Sequence, residues 1–214
     1  MSNLTVAWAR AWMEECAKTA HEHREELIEL DRKIGDADHG ENVDRGFAEV
    51  VKAEAEANPA TPADVLKLAA RTLISTVGGA SGPLLGTAFL RASKALTAES
   101  VDSAQLAAMF EAGLEGIIAR GKATEGEKTM VDAWAPAAKA ARAAVDAGKD
   151  EHTVLSEAAA AAAEGVKKTV DMVATKGRAS YLGERSVGTA DPGATSSSLF
   201  FAAAVRAAEE VEGK

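Results

Sequence analysis

Over the first part of the chain apolar residues recur mostly at three- and four-residue steps, at Val6, Trp8, Trp12, Met13, Cys16, Ala20, Leu27 and Leu30. That period predicts one long amphipathic helix, capped by Asn3 and stopped near Ile34-Gly35. A second helix is expected over 41–57, with Val43, Phe47, Val50 and Val51 as its inner face. Asn58-Pro59-Ala60-Thr61-Pro62 breaks it, and Thr61 with Pro62 forms the cap and first position of a third helix that ends at Gly78-Gly79. Ser81-Gly82-Pro83 opens a fourth, carrying Leu84, Leu85, Phe89 and Leu90, and Asp102 or Ser103 opens a fifth that ends near Arg120-Gly121. A sixth spans about 129–147, with a kink or later start expected at Pro136, and stops at Gly148. The seventh and eighth cover about 153–173 and 194–211.

No segment alternates apolar and polar residues with β-branched enrichment, so no strands are expected. Eight helices with mostly short links predict an all-α fold of antiparallel neighbours, a bundle or a barrel. No Pro-, Gly- or Ser-rich linker divides the chain, and 1–214 is expected to be a single domain. The stretch from 175 to 195 lacks helical patterning, and a connection that long in a compact domain is usually functional or disordered.

Composition sharpens this picture. Hydrophobic residues make up 47% of the chain, much of it alanine, and aromatics only 4%. Alanine has the best helix propensity and allows close helix packing. A net charge of −9 without a basic cluster argues against nucleic acid as a partner. One cysteine, Cys16, cannot form an intrachain disulfide and is expected in the core. Residues 1–15 carry charge at helical spacing with no apolar run of signal length, and nowhere is there an uncharged apolar stretch of about twenty residues. A cytoplasmic protein with no membrane partner is expected. Trp8 and Trp12 are expected in the core, and His21 and His23 on the surface.

The chemistry concentrates in Asp31-Arg-Lys-Ile-Gly-Asp36-Ala-Asp38-His-Gly-Glu-Asn42, with Asp31, Asp36 and Asp38 within eight residues. These spacings do not share a helix face, but a helix end running into a Gly-hinged loop can bring the carboxylates together. Converging carboxylates repel unless a cation lies between them, and all-oxygen ligation suits Mg2+ or Ca2+. The alternative is a solvated acidic turn with Asp38 capping the next helix.

Further Gly-, hydroxyl- and charge-rich links follow the third, fifth and seventh expected helices: Gly78-Gly-Ala-Ser-Gly-Pro83, then Gly121 to Met130, then Gly177 to Ser186 with Asp191-Pro-Gly-Ala-Thr195. In an antiparallel array all of them lie at the end that carries the aspartates. Gly-rich backbone and helix N-termini bind phosphate, and a carboxylate-held Mg2+ beside them suits phosphoryl transfer. Singly, each link is also explained by ordinary capping. Gly116 to Lys122 has the spacing of a P-loop, but Ala123 replaces the Ser/Thr and no strand precedes it. Asp36-Ala-Asp38 opens like an EF-hand loop, but Gly40 takes the fifth position and the terminal Glu is missing.

Taken in order, Gly35-Asp-Ala-Asp-His-Gly-Glu-Asn42, Gly79-Ala-Ser-Gly-Pro83, Gly121-Lys122 with Lys128-Thr-Met130, Gly177-Arg-Ala-Ser-Tyr-Leu-Gly-Glu-Arg185 and Asp191-Pro-Gly-Ala194 closely resemble the DhaL family across essentially the whole chain. These are nucleotide-binding subunits of dihydroxyacetone kinases. The resemblance implies an eight-helix antiparallel up-and-down barrel with ADP or ATP held at one end. It implies that Asp31, Asp36 and Asp38 bind two Mg2+ ions that bridge the nucleotide phosphates. It places His39, Gly40, Glu41 and Asn42 against the nucleotide and Ala80 and Ser81 at the phosphates. Gly121, Met130, Arg178 and Asp191-Pro192-Gly193 would close around base, ribose and phosphates.

Two positions depart from the common pattern: Ala80, where a second serine is frequent, and Leu85, where an aromatic often sits. The resemblance further implies a kinase acting on dihydroxyacetone or a related keto-sugar held by a separate DhaK-type subunit, so that this chain is inactive alone. In one version ADP stays bound as a cofactor and is rephosphorylated by DhaM, a phosphotransferase-system protein; in the other ATP exchanges. The length of the chain favours the first. A non-catalytic helical scaffold that binds nucleotide or lipid is the remaining alternative.

Overall fold

The computed structural model describes residues 4–213. Within them lie helices α1 (Val6–Glu22), α2 (Arg24–Ile34), α3 (His39–Ala57), α4 (Pro62–Thr76), α5 (Ser81–Ala95), α6 (Ser103–Gly121), α7 (Val131–Asp146), α8 (Glu151–Thr169) and α9 (Pro192–Glu212), with a 3-10 stretch at Arg178–Ser186 and no strand among the described residues. The expected cap Asn3 lies outside the described residues. Inside them the Thr5 hydroxyl accepts from Ala7 N–H and takes the capping role. Thr61 caps α4 through Asp64 N–H, with Pro62 at the first helical position. Asp102 and Gln105 form a reciprocal capping box on α6, which satisfies two otherwise orphaned N–H groups.

The helix expected from the N-terminus to Ile34 is two helices. The break falls at His23 (φ −97, ψ 9), where the sequence has neither glycine nor proline. Packing accounts for it: α1 lies against α9, α3 and α4, whereas α2 turns to cover α3, α9 and the 3-10 stretch. The region from 175 to 195 is also more ordered than its patterning suggests, since it holds the 3-10 stretch, kinked at Gly183 (φ 56), before α9 begins.

Apart from α2, successive helices pack on one another from α3 to α9, α1 packs on α3, and α9 packs back on α1. The ring of neighbours therefore closes. Aromatic side chains from several helices fill its middle. Trp8 stacks on Trp12 at 5.3 Å between centroids, Trp12 meets Phe89, and Phe47 bridges Phe89 and Phe200. Phe201 joins Phe110 to Trp134, each at 4.9 Å. The indole N–H groups of Trp8 and Trp12 donate to the carbonyls of Ala204 and Phe200 on α9. Each such buried ring contributes roughly 2–3 kcal/mol from removal of apolar surface. Small residues supply the rest of the packing: Ala69, Ala107, Ala137, Ala158, Ala203 and Ala204 are wholly buried. Cys16 is buried, as expected. No described helix is long and apolar enough to cross a membrane.

Candidate functional site

The end of α2 and the turn into α3 gather the three aspartates. One oxygen from each of Asp31, Asp36 and Asp38 lies within 4.8 Å of the others. Asp31 is buried, and its Oδ2 accepts from the backbone N–H groups of Asp38 (2.9 Å) and His39 (3.2 Å), so the last turn of α2 is tied to the first of α3. The backbone reverses at Ala37 with φ 64, a left-handed conformation that L-residues other than Asn and Asp seldom hold. That strain turns two neighbouring carboxylates toward Asp31. Gly35 completes the arrangement, because a Cβ there would fall on Asp31 Oδ1. Such crowding of oxygens fits a hard divalent cation, whose charge would offset their repulsion. The side chain nearest in compensating charge is Arg178, with Nη2 3.0 Å from Asp36 Oδ2.

Opposite the aspartates, the starts of α5, α7 and α9 face the same cleft. It has a volume of about 730 Å³, is open to solvent, and is lined by Asp31, Asp36, Asp38, His39, Ala80, Ser81, Met130, Arg178, Asp191, Pro192 and Gly193 among others. A second hollow of about 820 Å³ shares Gly79, Ala80, Leu84 and Gly177 with it and reaches Gly121. The links after α2, α4, α6 and α8 thus meet at one end, as the alternation of helices predicts. With α3 included, four helix N-termini point their positive dipole ends into this mouth. At α5 no side chain caps the helix start, whereas Asp31 Oδ2 takes the first N–H of α3 and Thr129 Oγ1 that of α7. Free N–H groups at uncapped helix starts are anion sites.

Individual residues fall as follows. His39 is buried, its Nε2 2.8 Å from Ser196 Oγ, and burial holds its pKa below the usual imidazole value against the pull of Asp31 and Asp38. Asp191 caps α9 through Ala194 N–H (2.7 Å). Burial pushes its carboxyl up to about 7, the Ala194 N–H draws it down, and the Asp132 charge adds to the rise. Ser81 stands at the first position of α5 and donates to the Gly78 carbonyl at 3.4 Å, so it is not the cap of that helix. Met130 is buried where α7 starts.

Gly40, Glu41 and Asn42 do not line the cleft. Gly40 faces α2, where a Cβ would meet the Arg24 carbonyl. Glu41 binds Arg24 at 2.9 Å, and Asn42 Oδ1 accepts from Arg45 while its buried Nδ2 has no partner. Lys128, Lys176 and Leu84 line the cleft without having been singled out as contacts, and Asp132 shapes its wall by accepting from Gly126 N–H and Thr129 N–H. Lys128 stood in a motif, but nothing in its neighbours signals that it is buried.

Known proteins resemble this chain along most of its length. The family described as DAK2 domain matches residues 33–206. The ADP-binding subunit DhaL of PEP-dependent dihydroxyacetone kinase 1 of Listeria innocua is 49% identical over 194 residues, covering 91% of this chain and 92% of that one. The corresponding subunit of the Escherichia coli enzyme is 45% identical, covering 86% and 89%. Among solved structures, the dihydroxyacetone kinase from C. freundii in complex with AMP-PNP and Mg2+ superposes with a TM-score of 0.68 at 27% identity, over 92% of this chain and 33% of that one. A family match across most of the sequence and near-full-length relatives of this identity establish that the chain belongs to the DAK2 domain family.

Proposed function

We propose that the chain is the ADP-binding, DhaL-type subunit of a dihydroxyacetone kinase, with ADP retained as a cofactor and phosphoenolpyruvate as the ultimate phosphoryl source. The observation that carries this reading is the convergence of Asp31, Asp36 and Asp38 with the starts of α5, α7 and α9 on one cleft. Relatives that match over nearly their whole length are PEP-dependent enzymes, which supports the retained-cofactor version over free exchange of ATP.

Asp31, Asp36 and Asp38 would hold Mg2+, two ions on the family pattern, and the cation would supply charge neutralisation at the phosphate oxygens. The chain's own residues do the rest by position and field. Backbone N–H groups at Ala80 and Ser81 and the dipole ends of α5, α7 and α9 orient the phosphate tail. Arg178, now paired with Asp36, stands within reach of the same charge. Met130 and Gly121 border the side where a base can lie, and a thioether packs well on an aromatic face. The Asp191 carboxyl, by capping α9, fixes Pro192 and Gly193 at the rim. None of these groups is placed as an acid, base or nucleophile, so the contribution is alignment and electrostatics.

Sugar binding and the phosphoryl supply are assigned to partners, a DhaK-type subunit and a DhaM-type phosphotransferase-system protein, in the cytoplasm. The test is phosphorylation of dihydroxyacetone by this chain with a DhaK-type subunit, comparing ATP with phosphoenolpyruvate plus the phosphotransferase-system proteins. Turnover with phosphoenolpyruvate and little with ATP alone is expected. Turnover with ATP alone overturns the retained-cofactor version, and none under either condition overturns the kinase assignment.

A further inference from the structure

Lys128 has a role that binding of the nucleotide does not by itself explain. It is 1% exposed, an unusual place for an ammonium group, and its backbone sits at φ 61. Nζ donates to the carbonyl of Ser186 at 2.5 Å and to that of Met172 at 3.1 Å. Those carbonyls flank residues 173–185, so a single cation joins the two ends of a loop that closes on itself, an Ω-shaped segment. Ser186 tightens the same neck, accepting from Ala174 N–H at 2.9 Å and donating to the Gly183 carbonyl. Beyond the neck the loop rests on α2. Ala174, Ala179 and Leu182 pack with Ile34 in a cluster separate from the main core, and Arg178 reaches Asp36. The loop is therefore a small unit with a polar pin at its base and a weak apolar footing at its tip.

We propose that Lys128 is a positioning residue whose ammonium pins the neck of loop 173–186 and so sets how long that loop stays closed over bound nucleotide. The inference rests on the nucleotide-binding reading above. Two carbonyls on opposite sides of the neck share one donor, so removing it takes a charged bond from both ends at once. The neck is then held by the Ala174 N–H to Ser186 Oγ and the Gly188 N–H to the Val170 carbonyl, and the tip contacts at Ile34 and Asp36 carry more of the work of keeping Arg178 at the cleft. Because the pin touches no part of the aspartate cluster, cation affinity is expected to be independent of it.

The test replaces the ammonium and keeps the stem, Lys128→Met, and measures the release rate of ADP in Mg2+ by chase together with backbone hydrogen exchange without nucleotide. Val154→Ala, a core change in the distant part of α8, serves as a control of comparable thermal destabilisation. Release is expected to accelerate about tenfold or more in Lys128→Met, as loss of charged hydrogen bonds of this kind implies, and to stay unchanged in Val154→Ala. Exchange is expected to rise in 173–186 and not in α4 or α5. An unchanged release rate in Lys128→Met, or equal acceleration in Val154→Ala, overturns the proposal. If the unaltered protein retains no ADP, the nucleotide reading fails separately, and exchange judges the pin: a local rise supports it and none overturns it. Should Lys128→Met not fold, Lys128→Gln, whose shorter amide reaches one carbonyl at most, is read the same way with a smaller acceleration expected.

Discussion

Asp31 and Asp36 differ in what surrounds them, although the sequence presents them as equivalents. Asp31 is buried and holds two backbone N–H groups, whereas Asp36 is exposed and holds only the guanidinium of Arg178. Asp31→Ala should therefore cost about 1–3 kcal/mol of stability without any ligand, because two buried N–H groups lose their acceptor. Asp36→Ala should cost at most about 1 kcal/mol, the usual worth of an exposed pair. Both should lose Mg2+-dependent nucleotide retention, and thermal melts with and without ADP and Mg2+ separate the two effects. An Asp36→Ala protein that melts as early as Asp31→Ala makes Asp36 a structural residue.

Glu54 is a residue-scale feature that periodicity could not reveal, since on α3 it reads as one of many surface carboxylates. It is buried, its Oε1 has no partner, and the facing Arg10 gives its Nη2 to Asn58 and Pro59. Burial pushes its pKa from 4.5 to about 8, Glu14 adds to the rise and Arg10 opposes it. The folded state thus keeps a proton that the unfolded chain releases, and stability falls as pH rises from about 4.5 toward 8. Asp191 contributes in the same direction, most of it below about pH 7. Between pH 7 and 8 the wild type should lose about 1 kcal/mol, and Glu54→Gln should remove most of that loss, the remainder belonging to Asp191. Denaturant titrations at the two pH values measure it, and an equal loss in both proteins contradicts the assignment.

Among the elements, helix starts were the most legible. Thr61-Pro62 and Asp102 each carry a local mechanism, an oxygen acceptor or a preset φ, that acts whatever the tertiary structure does. The bend at His23 and the ordering of 178–186 were not legible, because they answer to packing between distant segments. Pro136 shows both sides. It lies inside α7 without ending it, and lacking an N–H it leaves the Asp132 carbonyl without its usual helical partner. Helix α8 passes at that carbonyl through Gly165, where a Cβ would overlap the oxygen and crowd the Pro136 ring. Gly165→Ala should gain about 1 kcal/mol of helix propensity and lose more to overlap, for a net destabilisation of roughly 2 kcal/mol and a Tm lower by about 5 °C. A rise in Tm on calorimetry shows that the two helices can separate without penalty.

For the whole molecule, the alternation of antiparallel helices carried more than any one motif. It places the aspartate turn and three other links at one end, and the cleft at that end is where they meet. What alternation could not supply was which side chains face inward there. Glu41 and Asn42 lie two and three residues after His39, yet one turn of α3 directs them to Arg24 and Arg45 instead. Lys128 shows the converse, a cation drawn inside by two carbonyls more than forty residues away. Acidic side chains that by themselves repel an anion would bind one here through a cation. Equilibrium dialysis of ADP against the purified protein, with Mg2+ and then with a chelator, tests it most directly. Tight retention with Mg2+ and release on chelation is expected; ADP binding indifferent to the chelator, or absent with Mg2+ present, contradicts it.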